Sequence, residues 1–347
     1  MNPWDNGVKR SLIVTALVLL GCTPLFAQRV LVFPPTQTSG PVSASWIGTG
    51  LAVALDESLT QGGVPNIPYD NLKRLFEQEG LVEDPSFDLP AAVALARQLG
   101  AGVLFFGRYS VTDTALSVHL DAYDLRGNLK RLNGWDEKED LQGLLDLTGK
   151  LGHDVFTVLD KPWAGPPKVS PQAFESYIRG RISQDPLLQE VYFRKAVELQ
   201  PDYDDAKCCL AVVLKDTGRV TEGADILEAL EKKSYPKAYL GLLTLAEIRM
   251  ESGRLIEARR LLMASLKASE GPEAHLVLAK LNLRQKKFKE AQAELVMAER
   301  FGTHQDEIDA LRAQIDREAA AAAQPKAPEA PEGGSAPVVQ GGAGGKP

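Results

Sequence analysis

At 347 residues, with 44% apolar and 24% charged residues, the chain has an ordinary globular composition and room for about two domains. Its formal net charge of −7 excludes a chain built mainly to hold nucleic acid, which needs a basic surface. No Lys/Arg-rich block interrupts the sequence to suggest otherwise.

The first elements are those of a targeting segment. Lys9 and Arg10 precede the apolar run "SLIVTALVLLG", too short to span a bilayer and suited to a signal peptide. Two cleavage sites compete. "LLGC" at Leu19 to Cys22 has the form of a lipobox, with Cys22 lipidated. "PLFA" before Gln28 has the form of an ordinary signal-peptidase site and gives a leader over residues 1–27. Both export the chain, to the periplasm as a free protein or to the envelope as a lipoprotein anchored through Cys22. The remaining cysteines, Cys208 and Cys209, are adjacent and cannot form a strain-free disulfide with each other.

Residues 28–162 alternate strand and helix signals. "RVLVF" stopped by Pro34 and Pro35 reads as a buried strand. Ile47, Leu51, Ala54, Leu55 and Leu59 have helical spacing, with Ser43 or Ser45 available as a cap. A short strand near 64–67, a polar helix near 71–79 and a helix from Pro90 to Leu99 follow. Three strands come next. The middle one alternates Leu116, Val118, Leu120 and Ala122 with Ser117, His119, Asp121 and Tyr123, a period of two that buries one face. A helix from Asp140 to Leu159 closes the segment, with Asp136, Glu137, Glu139 and Asp140 read as its acidic start. The expected class is a small α/β sandwich followed by an all-α solenoid.

A proline-rich linker spans 163–171. From Gln172 the chain restates one pattern. Small residues recur at Ala211, Ala246 and Ala279, and again at Gly223, Ala258 and Ala291. Large apolar residues follow at Phe193, Leu227, Leu262 and Leu295, and Gly218 and Gly253 mark turns. Closely crossing helices need small side chains at contact and larger ones behind. About four helix pairs are expected over 172–305, the first atypical because Tyr177 and Gln189 stand at small positions. A capping helix over 306–323 and an Ala/Pro/Gly-rich tail without folding content over 324–347 complete the chain.

Steps of 35 and 33 residues between equivalent positions bracket the tetratricopeptide period of about 34. Residues 172–305 thus resemble the tetratricopeptide repeat (TPR) family. "VLVFPPTQTSG", "WIGTGLAVAL" and "LARQLGAGVLFFGRYSVTDTALSVHLDAYDLRGNL", with the junction "SPQAFESYIRGR", resemble the TolB amino-terminal-like α/β domains that precede such repeats in bacterial proteins. The resemblance implies a non-enzymatic assembly or binding module.

Catalytic and cofactor patterns are missing. Gly48-Thr49-Gly50 opens a helix after a strand, but Val53 stands where a dinucleotide fingerprint wants a small residue. "GLLDLTGK" at Gly143 to Lys150 is one residue too long for a P-loop. His119, His153, His275 and His304 have no metal-ligand spacing, so no metal and no cofactor is expected. What remains is a surface. In a tetratricopeptide array the first helix of each pair lines the concave groove. By register with the small alanines, the lining is Cys208, Val212, Lys215, Leu243, Glu247, Met250, Leu276, Lys280 and Leu283, joined by Ile178 and Arg181 from the first pair. The expected function is an exported envelope scaffold that takes a protein or peptide partner there, contacting membrane only if lipidated at Cys22. The alternative is a sensor whose α/β domain binds a small ligand or nucleotide at the loop after its first strand.

Overall fold

The computed structural model describes residues 29–81, 87–140, 143–163 and 165–323; the leader, Cys22 and the tail from 324 lie outside them. Val30–Val32 (β1) and Thr36–Ser39 (β2) are separated by Pro34 and Pro35, which lack the N–H a ladder needs. Both pair in parallel with Val103–Val111 (β3), Val30 facing Val103 and Thr36 facing Arg108. Ala115–Asp124 (β4) and Lys130–Asp140 (β5) continue antiparallel, in the order β1-β3-β4-β5 with β2 also on β3. Leu116, Val118, Leu120 and Ala122 of β4 are all buried, as the period of two requires.

Three local expectations are corrected. Asp136, Glu137, Glu139 and Asp140 start no helix: they belong to β5, whose ladder runs on until Asp140 faces Ala115. Pairing with a long neighbouring strand overrides the local acidic signal. The strand near 64–67 reduces to a single bridge between Asn66 and Val30, since Pro65 and Pro68 flank it without N–H donors. Ser45 sits at the N-cap of the first long helix but makes no side-chain capping bond.

That helix, Trp46–Gln61 (α1), is buried on nearly every side. It packs against β1, against Leu144–Val158 (α4) and against Pro171–Ile182 (α5). Apolar residues around its whole circumference follow from this sandwiching. Gly48 in its first turn has a steric purpose: a Cβ there would sit 2.2 Å from the carbonyl oxygen of Pro35. Tyr69–Gln78 (α2) and Leu89–Gln98 (α3) complete the α/β part, the latter capped by Asp88 Oδ1 accepting from Ala91 N–H at 2.9 Å. The proline-rich stretch is partly tied down, since the Trp163 ring lies over Gly152 of α4.

From α5 onward the chain forms antiparallel helix pairs. Pro186–Leu199 (α6) pairs with α5, Asp204–Asp216 (α7) with Val220–Leu230 (α8), and Ala238–Glu251 (α9) with Leu255–Ala268 (α10). Pro272–Arg284 (α11) pairs with Phe288–Glu299 (α12), and Gln305–Ala323 (α13) lies on the last pair. The repeating small and large residues are buried between these helices, from Ala211, Ala246 and Ala279 to Leu227, Leu262 and Leu295. In the first pair the small contact moves to Gly180, under the Phe193 ring, while Tyr177 turns toward the α/β part. Gly218 and Gly253 turn between paired helices with φ of 86° and 77°, and Lys286 holds the same place in the last pair with φ of 56°.

One hydrophobic cluster runs without a break from Val30 to Leu214. The α/β part and the first helix pairs therefore share a core.

Candidate functional site

The first helices of the pairs, α5, α7, α9 and α11, form the wall on which the groove residues were expected. The structure divides that wall. At the C-terminal end of α5 and the N-terminal ends of α7, α9 and α11, the α/β part is docked through an ionic seam. Its centre is Asp70 on α2, whose Oδ1 accepts from Arg181 Nη2 at 2.5 Å and whose Oδ2 accepts from Lys237 Nζ at 2.8 Å. The Tyr239 hydroxyl reaches the same Oδ2 at 3.3 Å. Arg181 Nη1 donates to the Tyr177 hydroxyl oxygen at 3.0 Å, and that hydroxyl donates to Glu57 Oε1 at 2.6 Å. Lys237 N–H donates to Asp205 Oδ1 at 2.8 Å. Further along α2, Lys73 Nζ donates to the Arg181 carbonyl at 2.9 Å and Arg74 pairs with Glu273 on α11. One short helix of the α/β part thus touches the first, third and fourth helix pairs.

Charge in the seam is unbalanced. Asp56, Glu57 and Asp205 are buried with two cations, Arg181 and Lys237, and both cations bond to the partly exposed Asp70, which Arg74 also faces. Burial would raise the Asp70 carboxyl, but the two cations outweigh it and hold it well below the usual range. The other acids respond the opposite way. Burial and then repulsion from Asp205 push Glu57 up to about 7, against Lys237, Tyr177 and Arg181. Burial lifts Asp205 and Asp56 to about 6 each. Cys208 and Cys209 lie in this region and are free, and burial pushes the Cys209 thiol up to about 11, an unreactive state.

Several expected groove residues are consequently closed off. Ile178 is buried in the shared core, and Arg181 is spent on Asp70. Cys208 lies under the Lys237 carbonyl, and Leu243 and Met250 pack between neighbouring pairs. Leu276 and Leu283 are covered by Ile308, Leu311 and Ile315 of α13. A residue without accessible surface cannot line an open groove, so these seven assignments are withdrawn.

The remaining four lie toward the C-terminal ends of α7, α9 and α11. Val212, Lys215, Glu247 and Lys280 are all partly accessible. Lys215 Nζ donates to Glu247 Oε2 at 2.6 Å, joining α7 to α9, and Lys280 Nζ donates to Glu307 Oε1 at 2.7 Å, joining α11 to α13. The Lys280–Glu307 pair is the more exposed of the two, and pairs with access to water contribute little to stability and exchange for partner charges.

The seam acids and Lys237 escaped sequence reasoning. One signal was present: Asp56 and Glu57 interrupt the apolar run "LAVALDESL" of α1, and adjacent acids inside a buried helix demand partners. The loop after β1 does border a cavity, of about 170 Å³, between Phe33, Pro35 and Thr49. Among the described residues, no group of three or more metal-ligating side chains exists, and no helix is long and apolar enough to cross a membrane.

No protein-family model matches the chain, and no curated protein matches it. Among solved structures it is similar to PilF of Pseudomonas aeruginosa, with 17% identity and a TM-score of 0.37 over 52% of this chain and 82% of that one. It is similar to PilW, a type IV pilus biogenesis factor, with 18% identity and a TM-score of 0.36 over 52% and 87%. Lipoprotein GNA1162 of Neisseria meningitidis gives 21% identity and a TM-score of 0.29 over 38% and 94%. At these scores the likenesses are partial, and the reading of the site rests on its own geometry.

Proposed function

We propose that the chain is an exported, non-catalytic scaffold that holds a protein partner on the open stripe of its helical array. In this reading residues 28–162 form an α/β unit of the TolB amino-terminal-like kind, and 172–305 form a tetratricopeptide array closed by 306–323. The observation that carries it is the division of one wall. The end of α5 and the N-terminal ends of α7, α9 and α11 are filled by the α/β part, while Val212, Lys215, Glu247 and Lys280 stay partly accessible and carry exchangeable ion pairs. Charges of both signs beside Val212 suit a helical or extended protein segment of complementary charge, and they set its direction. The leader read from the sequence over 1–27 supports a partner outside the cytoplasm.

The test is capture of a partner by the full-length chain with Lys215→Glu and Lys280→Glu. Loss of one specific partner, with melting unchanged, supports the stripe. Retention of every partner by the doubly reversed variant argues against it.

A further inference from the structure

The face of the sheet that carries Phe106, Arg108, His119 and Asp121 holds a second cavity, of about 390 Å³. It is within the size range of small-molecule sites, roughly 300–1,000 Å³. Its apolar wall is prebuilt. Phe87 stands on edge against Phe33 at 5.1 Å and stacked on Phe76 at 5.2 Å, so its ring is fixed from behind. Phe106, itself packed on Phe33 at 5.9 Å, forms the floor, and Leu89 closes one side. A rigid aromatic wall binds a flat or branched group without having to order itself first.

The polar side of the cavity is just as defined. Strand register sets Arg108 opposite His119 and Phe106 opposite Asp121. His119 is clamped, its Nδ1 2.8 Å from Asp136 Oδ1 and its Nε2 3.2 Å from Asp121 Oδ2. Asp121 also accepts from Arg131 Nε at 2.7 Å and from the Tyr123 hydroxyl at 3.2 Å. Gly134 leaves room for the Arg131 bridge, since a Cβ there would overlap the guanidinium. Of the cavity's own carboxylates, Asp121 is thus already engaged by Arg131, Tyr123 and His119. Among the charged groups lining the cavity, Arg108 alone makes no hydrogen bond or ion pair with the described residues. Its guanidinium is exposed beside an apolar wall, where a planar two-oxygen anion is its natural partner.

We propose that this cavity binds a small amphipathic organic acid, its aromatic or branched part over Phe106 against Phe87 and its anionic group on Arg108. The site lies on the sheet and is separate from the partner stripe, so each can fail without the other.

The probe is anilinonaphthalene sulfonate, an aromatic anion, titrated into the full-length chain, with uncharged N-phenylnaphthylamine as its control. Saturable sulfonate binding that weakens about tenfold in Arg108→Gln, with N-phenylnaphthylamine unchanged, is the expected result. Phe106→Ala should weaken both. Sulfonate affinity in Arg108→Gln within twofold of wild type overturns the proposal, as does an equal loss of both probes in that variant or no saturable binding at all. Arg108 is exposed, and a thermal melt checks that the variants are folded.

Discussion

One helical array meets two different electrostatic worlds. At the C-terminal end of α5 and the N-terminal end of α9, Arg181 and Lys237 are buried and locked to Asp70 from the α/β part. Toward the C-terminal ends of α7 and α11, Lys215 and Lys280 are partly exposed and pair with Glu247 and Glu307. Both places pair basic side chains with carboxylates at similar distances, yet the energetics differ. A buried ion whose partner is removed keeps its desolvation cost and loses its compensation. A half-exposed ion simply returns to water. The first arrangement suits a permanent internal joint, the second a surface that trades its pairs for a partner's.

The largest effect should come from breaking the joint. Arg181→Met leaves Asp70 and the Tyr177–Glu57 pair without their shared cation, and should cost about 3–5 kcal/mol by denaturant unfolding. The conservative change Lys215→Met at the open end should cost less than about 1 kcal/mol. Equal losses at the two ends would erase the distinction.

Acidity should discriminate them next. Glu57, Asp56 and Asp205 have folded pKa values above those of an unfolded chain. Their stabilisation is fully present below about pH 4 and is lost as pH rises through 6 to 7. Asp70 is depressed, so its contribution is present above about pH 4 and lost on acidification. Melting temperature should therefore peak between roughly pH 4 and 6 and fall toward pH 8. Glu57→Gln keeps an acceptor for Tyr177 and removes one surplus charge. It should flatten the alkaline limb and add about 1–2 kcal/mol at pH 8. A variant that melts lower at pH 8, with the slope intact, would show that the seam tolerates all its charges.

A lesion within the array should be smaller and local. Gly218→Ala forces a side chain into a left-handed turn and should cost about 1–2 kcal/mol, whereas Lys286→Gly should gain up to about 1 kcal/mol. Neither should alter the pH profile set by the seam. The smallest effect on stability belongs to Lys215→Glu and Lys280→Glu, within about 0.5 kcal/mol of wild type, with partner capture as the quantity that moves.

Much of the fold was legible because it is local. The spacing of Ala211, Ala246 and Ala279 reports helix contacts made by adjacent repeats, and the alternation in β4 reports one buried face. The site was only half legible. Register arithmetic assigns Lys215, Glu247 and Lys280 to the first helices of successive pairs, and α7, α9 and α11 carry them. It treats every pair alike, however, and cannot show that α13 covers Leu276 or that α2 lies over Arg181. The bond from Lys237 to Asp70 joins residues 167 positions apart, and no periodicity encodes such a contact. Tyr177 was visible as an exception to the pattern. Its reason, a hydroxyl reaching Glu57 across the seam, required the folded chain.

The most direct measurement places a photo-crosslinking residue in the full-length chain, in its own cells, at Val212, at Glu247, or at the outward-facing Ile256 and Val296 of α10 and α12. Capture of one common protein from Val212 and Glu247, abolished by Lys215→Glu with Lys280→Glu and absent from Ile256 and Val296, is the predicted result. Capture of that protein from Ile256 or Val296, with the stripe positions silent, would contradict the account.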